Sequence, residues 1–489
     1  MEKKNPHEPD SFDTPLSPAE VLQDRPAARF QDFHLGPGAR IVSETIPGER
    51  SKELLDIQRS LEGSIVSYPR EMPMAVKRAR GAIVEDVDGN RFIDFFSGAG
   101  VLNVGHCNDY VLKYVKRQQE DLIHMLDFPT VNKIELIQKI LHQLPAELRS
   151  EFKVSFCGPT GSDAVEAAIK LAKHKTGREG VIAFHGSYHG MTSGALSATS
   201  LVKLREKLRS NMPNVSFVPY SYCYRCPFKK TADNCQLDCA EYLRYVLENP
   251  HSGMAKPAAI LLEPIQGEGG TVIPKEGFLE KIVNIAREND IVVIFDEIQC
   301  GFFRTGDFWA FRESNVFPDI ITMSKGLGGI GFPISAIIYN KQVESWGAGD
   351  HIGTFRGNQV SIAAGNGAFD FVREYNVAEH TREMGAYMLS RLHELLAFSP
   401  AVGDIRGKGL FIGVEYVKDK KSKAPDPAIV RTIRKMCFAK GLVFEIGGHY
   451  NNVVRFLPPL IVNRELIDNA LAIFEEVNRT VTNGIAYTE

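Results

Sequence analysis

The chain of 489 residues has 57 Lys and Arg, 60 Asp and Glu, a formal net charge of −3 and 44% hydrophobic residues. This balance provides no basic field for nucleic acid, and the longest apolar runs, such as Ala258–Leu262, are far too short to cross a bilayer. The first ten residues lack the apolar core of a signal peptide. We therefore expect a cytoplasmic protein with a large core and more than one domain.

The first part of the chain has little hydrophobic pattern. Residues 1–45 are rich in Pro, Asp, Glu and other polar residues, which predicts a loosely ordered extension. A β-hairpin is predicted at Ile83–Asp94, where apolar residues flank an Asp-Gly-Asn turn.

Between residues 101 and 364, apolar strands alternate with helical stretches, which indicates a mostly parallel sheet covered on both faces. The clearest of these strands are Gly180–Phe184, Ala258–Leu262 and Ile291–Phe295. After residue 364, helices surround two further apolar strands, Leu410–Tyr416 and Val453–Leu457. This part is typical of a smaller α+β unit.

The segment Val154–Ala168 passes from an apolar stretch through a Gly-Pro pair into an Ala-rich helix. Small residues let the backbone approach an anion, which the free N–H groups and positive end of a helix can hold. We therefore predict that Gly161 and Ser162 contact a phosphate. The simpler interpretation is an ordinary helix capped by Ser162. A dinucleotide loop is disfavoured, because this turn lacks the pattern G-x-G-x-x-G.

Four of the eight cysteines form the pattern Cys223-x-x-Cys226 and Cys235-x-x-x-Cys239. These spacings can close around one tetrahedral metal ion, such as zinc, or around an iron–sulfur cluster. The same residues could instead be reduced thiols or two local disulfides. Spacing alone does not decide between a metal site and these alternatives.

The most specific chemistry lies at Asp296, which ends an apolar strand, and at Lys325, which follows another. A lysine amine that bonds to an aldehyde and a carboxylate that keeps a pyridine nitrogen protonated are the two groups that pyridoxal phosphate requires. Taken singly, they are also compatible with a surface lysine and a loop carboxylate. Together with the phosphate loop upstream, they predict a pyridoxal phosphate site.

Six motifs follow one another along the chain: Phe184–Gly190, Leu262–Gly270, Asp296–Gly306, Ser324–Gly328, His351–Gln359 and Val453–Leu460. In these motifs the chain resembles the class III aminotransferases, enzymes of fold type I that depend on pyridoxal phosphate. The resemblance runs from about residue 45 to the C-terminus. It implies an α/β protein with a large, mostly parallel-sheet domain and a smaller α+β domain. It also implies a homodimer with active sites shared between the subunits.

The resemblance also implies a division of the chain into domains. Residues 1–45 precede the folded part as the extension, and residues 46–100 contribute to the small domain. Residues 101–364 form the large cofactor-binding domain, and residues 365–489 complete the small domain.

By the same resemblance, Lys325, Asp296 and Tyr188 are the expected catalytic residues. Lys325 bonds to the cofactor and then acts as general base, Asp296 binds the ring nitrogen, and Tyr188 stacks on the ring. Ile298 is expected on the other face of the ring, and Gln299 at its phenolic oxygen. The full set of expected cofactor contacts is Gly161, Ser162, Tyr188, His189, Asp296, Ile298, Gln299, Lys325 and, for the neighbouring subunit's cofactor, Thr354.

Glu268 and Arg455 are the residues that the resemblance implies for substrate binding. Arg455 would bind the α-carboxylate of glutamate or 2-oxoglutarate, and Glu268 would cover Arg455 when the other substrate enters amine first. One site has to accept an α-amino acid and a distal amine in turn, so a fixed positive charge must be neutralised on demand. A purely structural salt bridge is the simpler interpretation.

Two positions depart from the pattern of aminotransferases that act on γ-aminobutyrate or ornithine. Met191 stands where those enzymes commonly have an arginine, and Arg356 stands where many relatives have glycine. We predict that Arg356 faces the active site across the dimer interface and takes over part of the binding of a substrate carboxylate, because its planar fork suits that group. The alternative is an arginine that only braces the interface.

Four segments most resemble the diaminobutyrate–2-oxoglutarate aminotransferases: Ser67–Arg70, Asp94–Asn103, Cys223–Cys226 and Gly353–Gly357. The resemblance implies amino transfer between glutamate or 2-oxoglutarate and an ω-amino acid or its semialdehyde, here L-2,4-diaminobutyrate or aspartate 4-semialdehyde. One alternative is an amino-acid racemase or epimerase of the same fold, which would not need a second substrate. Another is a non-catalytic interaction protein that kept the fold.

Overall fold

The computed structural model describes residues 30–207, 211–231 and 233–482. Its strands, in chain order, are β1 (Val76–Arg80), β2 (Ile83–Asp86), β3 (Arg91–Asp94), β4 (Phe152–Phe156), β5 (Val181–Phe184), β6 (Val215–Val218), β7 (Ala259–Leu262), β8 (Val292–Asp296), β9 (Ile320–Met323), β10 (Ala336–Asn340), β11 (Val402–Lys408), β12 (Phe411–Asp419), β13 (Ala424–Pro425), β14 (Leu442–Val443), β15 (Glu445–Gly447) and β16 (Val453–Phe456).

The α-helices are α1 (Glu49–Leu61), α2 (Tyr68–Glu71), α3 (Ser97–Gly100), α4 (Asp109–Asp121), α5 (Val131–Leu141), α6 (Gly161–Thr176), α7 (Ser193–Ala198), α8 (Val202–Arg205), α9 (Asp238–Glu248), α10 (Phe278–Glu288), α11 (Gln359–Glu374), α12 (Val377–Leu396), α13 (Pro427–Ala439) and α14 (Arg464–Thr482). No helix within the described ranges is long and apolar enough to span a membrane.

The largest sheet has seven strands in the order β4-β10-β9-β8-β7-β5-β6. Strand β10 is antiparallel to β4 and β9, and the pairs from β9 to β6 are all parallel. Every residue of β5, β7, β8 and β9 is buried. Such uniform burial explains why the sequences of these strands are continuous apolar runs and do not alternate between apolar and polar residues.

Helices cover both faces of this sheet. Successive side chains of a strand point to opposite faces. Val293 and Phe295 of β8 belong to a large core cluster with residues of α10, whereas Val292 and Ile294 belong to a second cluster with residues of α6. The prediction of an α/β fold with a mostly parallel, doubly covered sheet is confirmed.

The strand directions bring the predicted motifs to one edge of the sheet. Strands β8 and β9 are parallel, with Asp296 opposite Thr322, so Asp296 and Lys325 leave the sheet at neighbouring positions. The loops after β5 and β7 leave at the same edge, and so does the turn from β4 into α6, because β4 runs in the same direction as β9. Ligand sites of open α/β sheets lie at this carboxyl edge.

Two smaller sheets complete the fold. One has the order β11-β12-β16-β15, with β13 paired to β12, and all its pairings are antiparallel. In the other, β1-β2-β3 pair with β14, which runs parallel to β3. The predicted hairpin is confirmed, since Ile83 of β2 lies opposite Ile93 of β3. The early strands therefore pair with one from near the end of the chain, while the exact domain boundaries stay a prediction.

Part of the predicted N-terminal extension, residues 1–29, lies outside the described residues. The described part of the extension contacts the core at its start, through Phe30, Phe33 and Leu35. Phe30 is buried, and its ring contacts those of Phe371, Tyr375 and His380.

Helix α1 is capped by a residue of the hairpin turn. Its N-cap residue, Gly48, has no side chain to accept a hydrogen bond. Instead, the Asp88 carboxylate accepts hydrogen bonds from the backbone N–H groups of Arg50 and Ser51, each at 2.9 Å, and from the Ser51 hydroxyl at 2.5 Å. A carboxylate at this end satisfies donors that the helix leaves unpaired and complements its dipole. This contact attaches α1 to the hairpin.

We expect Asp88→Ala to increase hydrogen exchange at the first turn of α1, because a lost N-cap costs about 0.5–2 kcal/mol of local stability. Exchange measured by mass spectrometry on peptides that contain Arg50 and Ser51 tests this expectation. Asp56→Ala is the matched control, since Asp56 lies on the same helix and forms an exposed ion pair with Arg59. Equal protection of the first turn in Asp88→Ala and the unmodified chain would contradict the capping role.

Candidate active site

A cavity of about 510 Å³ opens at the carboxyl edge of the seven-stranded sheet. Of the cofactor and substrate residues predicted from the sequence, the ones that line it are Gly161, Ser162, Tyr188, His189, Glu268, Asp296, Ile298, Gln299, Lys325 and Arg455. Residues separated by almost 300 positions are thus brought to one site.

Asp296, the last residue of β8, is held rigidly at the base of the cavity. Its Oδ1 accepts hydrogen bonds from the backbone N–H of Ile298 and the hydroxyl of Thr322, both at 3.1 Å. Its Oδ2 lies 2.7 Å from Nδ1 of His189. The other ring nitrogen of His189, Nε2, is buried and has no hydrogen-bond partner among the described residues. This arrangement orients the carboxylate and leaves a buried polar atom for a group that enters the cavity.

Lys325 follows β9 in a left-handed backbone conformation, with φ of 38°, which is uncommon for a residue with a side chain. Burial and the positive charge of Arg455 lower the pKa of its amine to about 8. Negative charges on Asp296, Glu263 and Glu268 act in the opposite direction. A lower pKa increases the neutral, nucleophilic share of the amine near neutral pH.

The N-terminus of α6 faces the same cavity. Thr160 is its N-cap, in a reciprocal capping box with Asp163. The alternative in which Ser162 caps this helix is therefore wrong: Ser162 is the second helical residue, and its hydroxyl accepts a hydrogen bond from the backbone of Met191 at 3.2 Å. A Cβ at Gly161 would lie only 2.9 Å from Ile298. The tight approach and the unpaired N–H groups fit an anion cradle.

Arg455 of β16 is the positive centre of the cavity. Its Nη1 donates to Oε2 of Glu268 at 2.7 Å, and its Nη2 donates to Oε1 of Gln299 at 2.5 Å. Gln299 in turn donates to the backbone oxygen of Ala99 at 2.9 Å. The side chain of Arg455 is 2% exposed and that of Glu268 is 41% exposed. The guanidinium is therefore buried, while its carboxylate partner has solvent into which it can move.

Three further lining residues, Glu263, Tyr68 and Glu445, were missed by the sequence analysis. Glu263 is buried, and its carboxylate accepts hydrogen bonds from the backbone N–H of Tyr188 at 3.0 Å and of Gly267 at 2.8 Å. Burial, reinforced by Asp296, raises the pKa of Glu263 to about 7, although nearby His189 opposes the rise. The sequence contained one signal for Glu263. It follows β7 directly, just as Asp296 ends the neighbouring strand β8, so both carboxylates could have been placed at the same edge of the sheet.

Thr354 and Arg356 do not line the cavity of their own chain. Thr354 is exposed. The Arg356 guanidinium forms two hydrogen bonds to the carboxylate of Asp127, at 2.6 and 2.5 Å, and also donates to the backbone oxygen of His351. Within one chain, Arg356 therefore already has a bidentate carboxylate partner.

The described residues give no support for the metal site that the spacing of the four clustered cysteines allows. No group of three or more His, Cys, Asp or Glu in the described part of the chain could hold a metal ion. Cys223 is exposed, Cys226 and Cys235 are partly buried, and Cys239 is buried within α9; all four are free thiols. Burial raises the pKa of Cys239 to about 11. The free thiols agree with the alternative of reduced cysteines.

The family model for class III aminotransferases matches residues 66–477. The chain belongs to the class III aminotransferases. It is therefore an enzyme of a family that uses pyridoxal phosphate, as the sequence predicted.

Two curated relatives are similar to nearly the whole chain. The diaminobutyrate–2-oxoglutarate aminotransferase of Rhizobium meliloti is 38% identical, with 87% of this chain and 93% of the relative covered. The enzyme of the same name from Haemophilus influenzae is 37% identical, with coverage of 87% and 95%.

Solved structures agree with this assignment. A Bacillus anthracis aminotransferase superposes with a TM-score of 0.80 at 26% identity, covering 88% of this chain and 99% of that one. The ornithine aminotransferase of Toxoplasma gondii gives a TM-score of 0.76 at 26% identity, with coverage of 88% and 96%. The predicted fold class, that of the fold type I enzymes, is confirmed.

In the cofactor-free protein, we expect chemical labelling of the Lys325 amine to reach half its maximal rate near pH 8, the pKa to which burial and Arg455 lower it. An ordinary lysine would reach that point near pH ~10.4. Labelling with an amine-reactive reagent over a pH series, read by peptide mass spectrometry, gives the midpoint. Arg455→Met is the matched variant: removing the positive charge should move the midpoint to higher pH. A midpoint for Lys325 near that of ordinary lysines would contradict the expectation.

Proposed function

We propose that this chain transfers an amino group between glutamate or 2-oxoglutarate and L-2,4-diaminobutyrate or aspartate 4-semialdehyde. The observation that carries this proposal is the presence of Lys325, Asp296 and the Glu268–Arg455 pair in one cavity. The names and coverage of the Rhizobium and Haemophilus relatives support the choice of the diamino substrate.

The cavity fits pyridoxal phosphate, which supplies an aldehyde and an electron-withdrawing pyridine ring when bound. The N-terminus of α6 would take the phosphate, and Asp296 would hold a proton at the ring nitrogen. Tyr188 and Ile298 would pack on the two faces of the ring. Thr354 would reach the phosphate that is bound in the neighbouring subunit.

Lys325 would move the proton on which transamination depends. Its lowered pKa gives the amine a neutral fraction that can accept the proton from the substrate carbon bearing the amino group. Glu263 holds the backbone of Tyr188 through its carboxylate and so positions the stacking ring. His189 keeps the carboxylate of Asp296 in place from the other side.

The Glu268–Arg455 pair would adapt one cavity to two kinds of substrate. In the observed arrangement Glu268 neutralises Arg455, which suits a donor that enters with its distal amine. When glutamate or 2-oxoglutarate binds, the partly exposed Glu268 would move aside and Arg455 would take the α-carboxylate. A racemase or epimerase would have no second substrate for which to retain such a pair, and a non-catalytic protein would not need it.

We further propose a homodimer with shared active sites. Several large apolar side chains are exposed on two adjacent segments: Ile123, Met125, Leu126, Phe128, Val131, Ile352 and Phe355. The segments are joined by a bridge between His124 and Asn358. Exposed apolar patches of this kind mark protein–protein contacts, and Thr354 lies among these residues. The cytoplasmic location stays a prediction from the sequence.

The proposed reaction is tested by incubating the cofactor-loaded enzyme with 2-oxoglutarate and a panel of amine donors and measuring glutamate. We expect the highest kcat/KM with L-2,4-diaminobutyrate. Lys325→Ala should lower kcat by about 100-fold to 10,000-fold, since the general base is lost, while the cofactor still binds. Glutamate formation from other donors but not from diaminobutyrate would contradict the substrate, and near-normal turnover by Lys325→Ala would contradict the mechanism.

Arg356 separates two interpretations of the dimer interface. If it binds a substrate carboxylate of the neighbouring site, Arg356→Met should raise KM for one carboxylate substrate by about 10-fold to 100-fold, because a charged hydrogen bond is lost. If it braces the interface through Asp127, Arg356→Met and Asp127→Asn should weaken dimerisation alike and spare substrate selectivity. Steady-state kinetics and sedimentation of both variants distinguish the two, and the bidentate pair in the structure favours bracing.

A further inference from the structure

Glu445 is a carboxylate of the active-site cavity to which the proposed reaction gives no task. It begins β15, which is antiparallel to β16, and it lies directly opposite Arg455 in the register of the two strands. Opposite residues of an antiparallel pair present their side chains on the same face of the sheet. Glu445 and Arg455 accordingly line the same cavity as Lys325.

Among the residues that the structure describes, no cation lies within ion-pair distance of the Glu445 carboxylate, although the charges of Arg455 and Arg434 act on it. Arg455 forms its ion pair with Glu268 rather than with Glu445. Within the described ranges, Glu445 forms no ion pair with any Lys, Arg or His, and its Oε1 accepts a hydrogen bond from the N–H of Ile446 at 2.9 Å. A partly buried carboxylate without an ion-pair partner destabilises the folded protein unless a positive group reaches it.

The pKa values of Glu445 and of the nearby Tyr68 reflect this burial and charge. Burial raises its pKa, with Arg455 opposing and Glu268 reinforcing the rise. Tyr68 lies on the same wall: burial first, and then the charge of Glu445, raise its pKa to about 12. Tyr68 therefore remains a neutral hydroxyl. A cation that entered this part of the cavity would stabilise the ionised form of Glu445.

We propose that Glu445 binds the α-ammonium group of the diamino donor while the other amine of that donor reacts at Lys325. The inference rests on the proposed function and names the group that selects a diamino acid over a monoamino acid of the same length, such as 4-aminobutyrate. A distal amine is proposed to enter while Glu268 pairs with Arg455. In that state, Glu445 is the carboxylate that remains to bind the second ammonium group. An ammonium–carboxylate contact is a charge-assisted hydrogen bond, among the strongest in proteins.

A simpler role for Glu445 would be to balance the charge of Arg455. The two roles differ in the substrate that they affect. Arg455 is proposed to bind the α-carboxylate of glutamate, so a balancing carboxylate would alter glutamate binding. An ammonium ligand would instead alter the binding of diaminobutyrate and leave 4-aminobutyrate and glutamate almost unchanged.

The test uses cofactor-loaded Glu445→Gln, with each half-reaction followed by cofactor absorbance. KM for L-2,4-diaminobutyrate should rise by about 10-fold to 100-fold, with a smaller change in kcat. The constants for glutamate and for 4-aminobutyrate, measured as a donor or as a competitive inhibitor, should change far less. The cofactor dissociation constant should stay as in the unmodified enzyme. Glu445→Asp, which keeps the charge, should retain part of the diaminobutyrate affinity and serves if the glutamine variant fails to fold.

Glu268→Gln is the matched comparison, because it removes a carboxylate from the same cavity. It should affect diaminobutyrate and 4-aminobutyrate alike, since both enter while Arg455 is covered. Equal losses for these two donors in the Glu445 variants, or a loss for glutamate, would overturn the inference and leave the proposed function standing. Failure of the unmodified enzyme to use diaminobutyrate would overturn the proposed function, and the inference with it.

Discussion

A buried guanidinium helps to join the two sheets that enclose the cavity. Arg455 belongs to the antiparallel sheet of β11, β12, β15 and β16, yet both of its hydrogen-bond partners there follow strands of the seven-stranded sheet: Glu268 after β7 and Gln299 after β8. A buried charge is tolerated only when it is paired, and loss of one partner costs several kcal/mol, about 3–5 in typical cases. The contact between the two sheets therefore depends in part on Arg455.

The same charge reaches the reacting lysine. Burial is the main cause of the lowered pKa of Lys325, and Arg455 is the next. Covering Arg455 with Glu268 or with a substrate carboxylate reduces its positive field and so favours protonation of the lysine. Under the proposed function, binding of a carboxylate at Arg455 and protonation of Lys325 are thus coupled through electrostatics.

The strand ends were predictable from the sequence, whereas contacts between distant segments were not. Asp296 and Lys325 could be placed because each follows an apolar run, and parallel strands bring their carboxyl ends to one edge. Glu445 begins a strand of only three residues, which is too short to give a recognisable pattern in the sequence. Its pairing with β16 could not be predicted from neighbouring residues. The pairing of Arg356 with Asp127 joins positions 229 apart in the chain. The spacing of the cysteines matched the spacing of a metal site. The burial of Cys239, in contrast, depends on how α9 packs, which the spacing does not show.

Two carboxylates share the surroundings of Arg455, and they differ in freedom of movement. Glu268 lies on a loop with a side chain that is 41% exposed, so it has room to rotate into solvent when a substrate carboxylate replaces it at Arg455. Glu445 lies on a strand, opposite Arg455 in the sheet register, and its carboxylate is tied to the backbone of Ile446. A mobile carboxylate can leave the cavity and so change the net charge of the cavity by one unit between half-reactions. A fixed carboxylate keeps its negative charge at one position. Under the proposed function and the inference for Glu445, the site binds glutamate by its carboxylate and a diamino acid by its second ammonium group, and these two tasks need one mobile and one fixed carboxylate.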